Sequence, residues 1–154
     1  MSTQTRGATG ESPVQQAAKL VGVVFLLVGV LGFIPGITTS YSAMEFASHD
    51  SGAKLLGVFQ VSVLHNLVHL AYGLAGLALA RTASAAYKYL LVGGAVYLVL
   101  WIYGLIVDRH SDANFVPLNN ADDWLHFVLG LAMIGLALVL ARRGSGTHER
   151  VQNR

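Results

Sequence analysis

The sequence predicts an all-α integral membrane protein, a bundle of four transmembrane helices. Of its 154 residues, 54% are hydrophobic and only 12% are charged, whereas about 25% of the residues in a soluble domain are charged. Each of four apolar stretches reaches or approaches the ~20 residues that a helix needs to cross the hydrocarbon core. None alternates in polarity as barrel strands do, and helices satisfy their own backbone groups in lipid. The stretches are residues 17–34, 55–80, 87–107 and 121–141.

The two ends of the chain differ in composition from these stretches. Residues 1–16 are rich in Ser, Thr, Gly and Gln and predict a disordered tail. A cleavable signal peptide would place a short apolar core near the start, followed by a small-residue cleavage site. The first apolar stretch instead ends in Ile34-Pro35-Gly36, so we interpret it as a membrane helix. The expected organisation is one transmembrane domain over residues 17–141, followed by a basic tail over residues 142–154.

The positions of Lys and Arg predict the orientation of the chain. Cations are enriched on the cytoplasmic side of membrane proteins. Only Lys54 and Arg109 fall on one side of the predicted bundle, which has ten such residues in all. We therefore expect a multi-pass protein of the cell membrane with both termini in the cytoplasm. The cations on the predicted cytoplasmic side are Arg6, Lys19, Arg81, Lys88, Arg142, Arg143, Arg150 and Arg154.

The second and fourth apolar stretches resemble each other in sequence. Residues 65–75 align without gaps on residues 122–132, and each copy contains a polar pair, then a histidine, then Gly-Leu-Ala. The alignment pairs His69 with His126. Two repeated helical hairpins, related by an axis along the membrane normal, would explain this similarity. Chance similarity between two Leu- and Ala-rich helices is the alternative. The glycine of each copy is expected to face a neighbouring helix, because small residues let backbones approach closely.

Four ionisable side chains in these two stretches predict a polar centre in the outer half of the bundle: His65, His69, Asp122 and His126. His65 and His69 are four residues apart, as are Asp122 and His126, so each pair lies on one helix face. Ionisable groups inside membrane helices are costly and usually face the bundle interior with a partner. Because the chain has no cysteine, a metal would be held by imidazole and carboxylate, which suit zinc, iron or copper.

Two other interpretations of this polar centre stay open. The histidines and aspartates, joined by Asn66, would form an interhelical hydrogen-bond network that only stabilises the bundle. Alternatively, His65 and His126 would be the axial ligands of a b-type haem. Counting back from the cations that end the second and fourth stretches puts His65, rather than His69, level with His126. The sequence alone therefore leaves the pairing of the histidines undecided.

These observations leave several classes of function. A metal-handling or redox protein is one, and a small accessory subunit of a larger membrane complex is another. An enzyme is least expected, because no Ser or Cys nucleophile lies beside a base at a recognisable spacing. The lipid bilayer is the expected partner, with a homo-oligomer or a larger complex as further alternatives. Nucleic acid is excluded as a partner, because the cations flank apolar stretches rather than forming one patch.

Several motifs resemble those of a known family. They are His65-Asn66-Leu67-Val68-His69 followed by Gly73, the stretch 97–108, and Asn114-Phe115-Val116-Pro117-Leu118-Asn119 leading into residues 121–126. These motifs resemble an uncharacterised family of four-helix integral membrane proteins, a domain of unknown function found mostly in actinobacteria. The resemblance covers nearly all of residues 19–142. It implies the same fold and a membrane location, and it implies no activity.

Overall fold

The computed structural model describes the backbone of residues 10–152 and the side chains of residues 10–141. Four helices and a small sheet make up this part of the chain. In order, the elements are α1 (Pro13–Leu31), β1 (Thr38–Thr39), a short 3-10 helix (Tyr41–Ala43), β2 (Lys54–Leu55), β3 (Phe59–Gln60), α2 (Val63–Leu79), α3 (Ala83–Ile106) and α4 (Asn120–Gln152).

Helix α1 begins earlier than the sequence analysis predicted. Ser12 is its N-cap, Pro13 is its first residue, and the side chain of Gln15 accepts a hydrogen bond from the Ser12 amide at 3.1 Å. This is a capping box, which satisfies amides that have no partner within the helix. Gln15 also donates to the carbonyl oxygen of Ala80 at 3.0 Å, which fixes the start of α1 to the end of α2. The expectation of a disordered tail up to residue 16 is therefore wrong for residues 13–16, while residues 1–9 lie outside the described part.

Helix α2 is shorter than the predicted second span. Residues 55–62 form strands and a turn instead, and Ser62 caps the helix by accepting a hydrogen bond from the His65 amide at 3.1 Å. The turn between β2 and β3 has positive φ at Leu56 and Gly57 (53° and 72°). The 17 residues of α2 rise about 25 Å, slightly less than the ~30 Å hydrocarbon core. Among the described helices, α1, α3 and α4 are long and apolar enough to cross a membrane.

Helix α4 is the longest of the four and continues past the predicted span. The apolar part that can cross the membrane is Asn120–Ala141. The backbone remains helical to Gln152, through most of the segment that the sequence predicted as a basic tail. The side chains of residues 142–154 lie outside the described part.

The helices form two antiparallel hairpins, α1 with α2 and α3 with α4. A Cβ atom built on Gly73 would lie 2.7 Å from the carbonyl oxygen of Gly22, and one built on Gly130 would lie 3.0 Å from that of Gly94. Since the first distance is shorter than real Cβ contacts and the second is tighter than most of them, each hairpin is closely packed at a glycine–glycine contact. The expectation that the glycines of the two sequence copies face neighbouring helices is confirmed.

The two hairpins repeat each other in further contacts. Gly32 packs on the side chain of Asn66, and Gly104 packs on the side chain of Asp123. Gly22 and Gly32 are ten residues apart, as are Gly94 and Gly104. These two contacts of the first hairpin therefore have counterparts in the second, at positions that the alignment of the two sequence copies pairs. The structure confirms an all-α fold with four helices, and the matching contacts support its interpretation as two repeated hairpins.

The sheet and the long loops cover one end of the bundle, which we call the loop end. There β2 is the central strand and pairs antiparallel with both β1 and β3. The sheet packs on a small core of Ala53, Leu55 and Val61. The opposite end, which we call the terminal end, contains the start of α1 and the short link between α2 and α3. The candidate site lies between the helices near the loop end.

Candidate functional site: a histidine-lined cavity

Two histidines on α2 share one helix face. The rings of His65 and His69 are stacked, with centroids 4.5 Å apart and planes 8° apart. His69 Nδ1 lies 3.0 Å from the carbonyl oxygen of His65. Because a carbonyl oxygen can only accept, this contact requires the proton on Nδ1 and leaves Nε2 of a neutral His69 as its basic nitrogen. The side chains are buried, with 5% and 8% of their residue surface exposed.

The third histidine comes from α4. His126 is equally buried, and its ring meets the ring of Tyr97 on α3 edge to face, with centroids 5.1 Å apart. All three histidines and Tyr97 line one cavity of about 260 Å³ between α2, α3 and α4. Phe115, Val116 and Leu118, in the loop before α4, complete its lining at the loop end. We call this space the histidine cavity.

The fourth predicted site residue, Asp122, has a different position. It does not line the histidine cavity. Its Oδ2 accepts hydrogen bonds from the backbone amides of Gln60 (3.1 Å) and Asn119 (2.9 Å). The side chain of Asn119 in turn accepts from the Asp122 amide at 3.0 Å. This reciprocal pair is a capping box at the start of α4. The capping residue is therefore Asn119.

The predicted four-residue metal centre is therefore divided. His65, His69 and His126 line one cavity, and Asp122 is bound by backbone amides instead. Among the side chains of residues 10–141, no group of three or more His, Cys, Asp or Glu is arranged to hold a metal ion, so sharing the cavity does not bring the three imidazoles into a coordinating arrangement. Asp122 stays apart because a carboxylate at the third helical position satisfies otherwise unpaired amides.

The alternative hydrogen-bond network is not formed within the described part of the chain either. Asp123 pairs instead with Arg109, whose Nη2 lies 2.7 Å from its Oδ2. The Asp123 side chain is 3% exposed and that of Arg109 is 34% exposed. Arg109 folds back from the end of α3 and neutralises a buried carboxylate.

Several buried polar atoms of the site region have no hydrogen-bond partner, among them Nδ1 of His65 and Nδ1 of His126. Leaving a buried polar group unpaired costs about 1–3 kcal/mol, and such groups in native proteins call for a functional or structural explanation. The His65 imidazole also faces the backbone carbonyl of Pro117, which can only accept a hydrogen bond. The histidine cavity thus has an uncommitted hydrogen-bonding capacity on two of its three imidazoles.

Sequence reasoning gave little weight to the aromatic residues around the histidines. Phe25 contacts His69 at 5.6 Å between ring centroids, as Tyr97 contacts His126, and Phe25 and Tyr97 contact each other at 5.3 Å. Phe25 and Tyr97 occupy equivalent positions in the two hairpins. The repeat, applied to α1 and α3, would have identified them. Trp124, at the start of α4, is exposed, as is typical of a tryptophan at the interface between membrane and water.

Comparison with known proteins identifies the family of this chain. A family model described as a domain of unknown function, DUF4383, matches residues 15–139. Neither the curated proteins nor the solved structures contain a significant match. The matched segment covers all of α2 and α3, most of α1, α4 as far as residue 139, and every residue of the histidine cavity. The actinobacterial origin implied by the sequence resemblance stays a prediction. The chain belongs to the DUF4383 family, whose description assigns it no function.

Proposed function

We propose that this membrane protein binds a small apolar molecule whose ring bears a carbonyl or hydroxyl group, and that the ring lies in the histidine cavity. The head group of an isoprenoid quinone is the chemical class that fits best. The observation that carries this proposal is the lining of the cavity, which combines three buried imidazoles with exposed apolar side chains. A redox role, one of the functions expected from the sequence, would follow from a quinone ligand.

The rim of the cavity supports entry from the lipid side. Val68, Val99 and Phe115 line it and are 46%, 63% and 55% exposed. In a bilayer, these exposed apolar surfaces face acyl chains, so an apolar molecule reaches the cavity without crossing water. The volume of about 260 Å³ is below the ~300–1,000 Å³ of sites for drug-sized ligands. It suits one ring, with an isoprenoid chain left in the lipid.

The imidazoles provide the recognition chemistry. A neutral imidazole donates from one nitrogen and accepts at the other. His69 has its Nδ1 committed to the His65 carbonyl, so its Nε2 is an acceptor for a quinol hydroxyl. Nδ1 of His126 has no partner, so its tautomer is not fixed and it can donate to a quinone carbonyl. The site can therefore match either redox state of the ring.

Quenching of tryptophan fluorescence tests the proposal. The chain has two tryptophans, and Trp101 packs on Phe127, next to His126 in sequence. In the Trp124→Phe background, titration of a short-chain quinone should give saturable quenching of Trp101 with one site per chain. Replacing His69 or His126 with Leu should weaken binding at least about tenfold, the equivalent of ~1.4 kcal/mol. The matched control is His110→Leu at an exposed position, which should bind like the parent.

Two results would count against a quinone site. Quenching that rises linearly with quinone concentration would indicate partition into the detergent alone. Unchanged affinity in both histidine variants would place the ligand elsewhere.

A metal ion is the second candidate, and the His69 contact favours it. Metal-bound histidines commonly donate their other ring N–H to a carbonyl or carboxylate, which orients the coordinating nitrogen. His69 makes such a bond to the His65 carbonyl. Elemental analysis and an absorption spectrum of protein purified in mild detergent test this candidate. One zinc, iron or copper per chain that is lost in His126→Ala would support it, and a Soret band would indicate haem. Protein without either would remove it.

We also propose that both termini are cytoplasmic and that the protein lies in the cell membrane. The uneven distribution of cations supports this orientation. Reporters fused at Met1 and after Arg154 should then give a cytoplasmic signal, and one inserted near Ser48 should give an external signal. An external signal from either terminus would overturn the orientation.

A further inference from the structure

A second cavity lies between α2 and α3 near the terminal end. It has a volume of about 390 Å³ and is distinct from the histidine cavity. Tyr72 and Tyr89 are two of its wall residues. The hydroxyl of Tyr89 donates to the Tyr72 carbonyl at 3.2 Å, so the Tyr89 hydroxyl already has a hydrogen-bond partner. The remaining wall is aliphatic except for a single lysine, Lys88. We call this space the lysine groove.

Lys88 is exposed and lacks a carboxylate partner among the described side chains. The described ion pairs at other cations join Lys19 to Glu11 and Arg109 to Asp123. Lys88 therefore contributes an uncompensated positive charge next to an apolar space. This combination calls for a ligand with an anionic group attached to an apolar chain.

The position of the groove in the bundle identifies the source of that ligand. Helix α3 has 24 residues and rises about 36 Å, more than the ~30 Å hydrocarbon core, so its first turns extend into the lipid headgroup region. Lys88 lies in the second turn after the Thr82 cap, and a lysine at that depth directs its ammonium group to the interface. Val92 and Leu79 border the groove and are 59% and 42% exposed. The groove is therefore open to lipid along the helix axis.

We propose that the lysine groove binds one anionic phospholipid of the leaflet at the terminal end. Its phosphate pairs with Lys88, and one acyl chain lies between α2 and α3. Basic pockets between transmembrane helices recognise anionic headgroups in this way. Net charge discriminates between lipids, because a zwitterionic headgroup brings its own cation and leaves Lys88 uncompensated. This site is independent of the ligand proposed for the histidine cavity.

Native mass spectrometry of the full chain, released from micelles that contain equal amounts of phosphatidylglycerol and phosphatidylcholine, tests the proposal. The wild type should retain one phosphatidylglycerol in clear excess over phosphatidylcholine. Lys88→Gln should lose that preference at least fivefold. Val92→Trp, which fills the groove from an exposed position, should lose the retained lipid altogether. Two matched controls should behave like the wild type: Lys54→Gln, which removes a cation at the loop end, and Leu27→Trp, which enlarges an exposed residue of α1.

Several outcomes would overturn the proposal. Equal retention of the two lipids by the wild type would show that charge is not recognised. Retention of phosphatidylglycerol by Lys88→Gln at the wild-type level would place the lipid elsewhere. Displacement of the lipid by glycerol phosphate at similar concentrations would indicate a phosphate site without an acyl chain. A second copy of the chain retained in place of lipid would show that the groove is a protein interface.

Discussion

Alanine at Gly130 tests how closely α3 and α4 approach each other. A Cβ atom built there would lie 2.7 Å from Cδ2 of Leu98 and 3.0 Å from the carbonyl oxygen of Gly94. The leucine side chain can rotate away, but the carbonyl belongs to the backbone of α3 and cannot move without the helix. Gly135 is the matched control, since it lies on the same helix and a Cβ atom there has nothing within 4 Å.

The expected change in the free energy of unfolding follows from two opposing effects. Exchanging Gly for Ala inside a helix stabilises it by up to about 1 kcal/mol, whereas overpacking costs about 1–3 kcal/mol. We expect Gly135→Ala to be neutral or stabilising and Gly130→Ala to be destabilising. Because the helix propensity gain is common to both variants, the difference between their free energies of unfolding reports the overpacking, about 1–3 kcal/mol. The repeat predicts the same sign for Gly73→Ala.

Reversible unfolding in mixed micelles of a mild detergent and dodecyl sulfate, followed by circular dichroism, measures these free energies. The wild type and both variants are compared at equal detergent composition. If Gly130→Ala and Gly135→Ala had the same stability within about 0.5 kcal/mol, the usual size of a neutral surface substitution, the close contact between α3 and α4 would not exist. The structural basis of the repeat would then fail with it.

Three further substitutions test the loop end. Asp122→Ala should lower the free energy of unfolding by about 1–3 kcal/mol, because two amides lose their acceptor. Asp108→Ala is the exposed control. If Asp122→Ala instead released a bound metal, Asp122 would be a metal ligand after all. Arg109→Ala should be more destabilising than the double variant Arg109→Ala/Asp123→Asn, in which no buried charge is left unpaired. Ser62→Ala should cost about 1 kcal/mol as a lost N-cap, measured by the same unfolding assay.

The apolar pattern predicted the four helices but not the sheet at the loop end. A short apolar run adjoining a helix has the same composition whether it is helical or extended, so residues 55–62 were assigned to the second span. The features that distinguish the strands from the helix here are local. Gly57 lies in a turn with positive φ, and Ser62 provides a cap. The capping box of Ser12 and Gln15 was likewise visible in the sequence as a Ser followed three residues later by Gln.

The candidate site was predictable to the extent that it depends on the helices. The spacing of His65 and His69 placed them on one face, and the repeat brought His126 to the same region. The prediction that Asp122 lies with the histidines was wrong because two roles compete for a carboxylate at the start of a helix. Its third helical position favours bonding to backbone amides over turning inward. The equivalent residue of the first hairpin is His65, whose amide donates to Ser62 while its ring remains free to line the cavity.

The internal symmetry explains why distant parts of the chain form one cavity. Phe25 and Tyr97 are equivalent residues, and they contact each other at 5.3 Å between ring centroids. Residues related by a two-fold axis that touch one another lie at that axis. Each also contacts the histidine of its own hairpin, His69 or His126, so the symmetric frame by itself brings both histidines to the centre of the bundle.

The asymmetric parts then give that centre its chemistry. Tyr97 provides a phenol ring where the first hairpin has Phe25, and His65 provides an imidazole where the second has Asp122. Phe115, Val116 and Leu118, from the loop before α4, line the same cavity. A purely structural role for the histidines would require only the symmetric contacts, which are complete without these differences. Since the differences all line one cavity or replace a residue that does, they are the features through which the proposed ligand would be recognised.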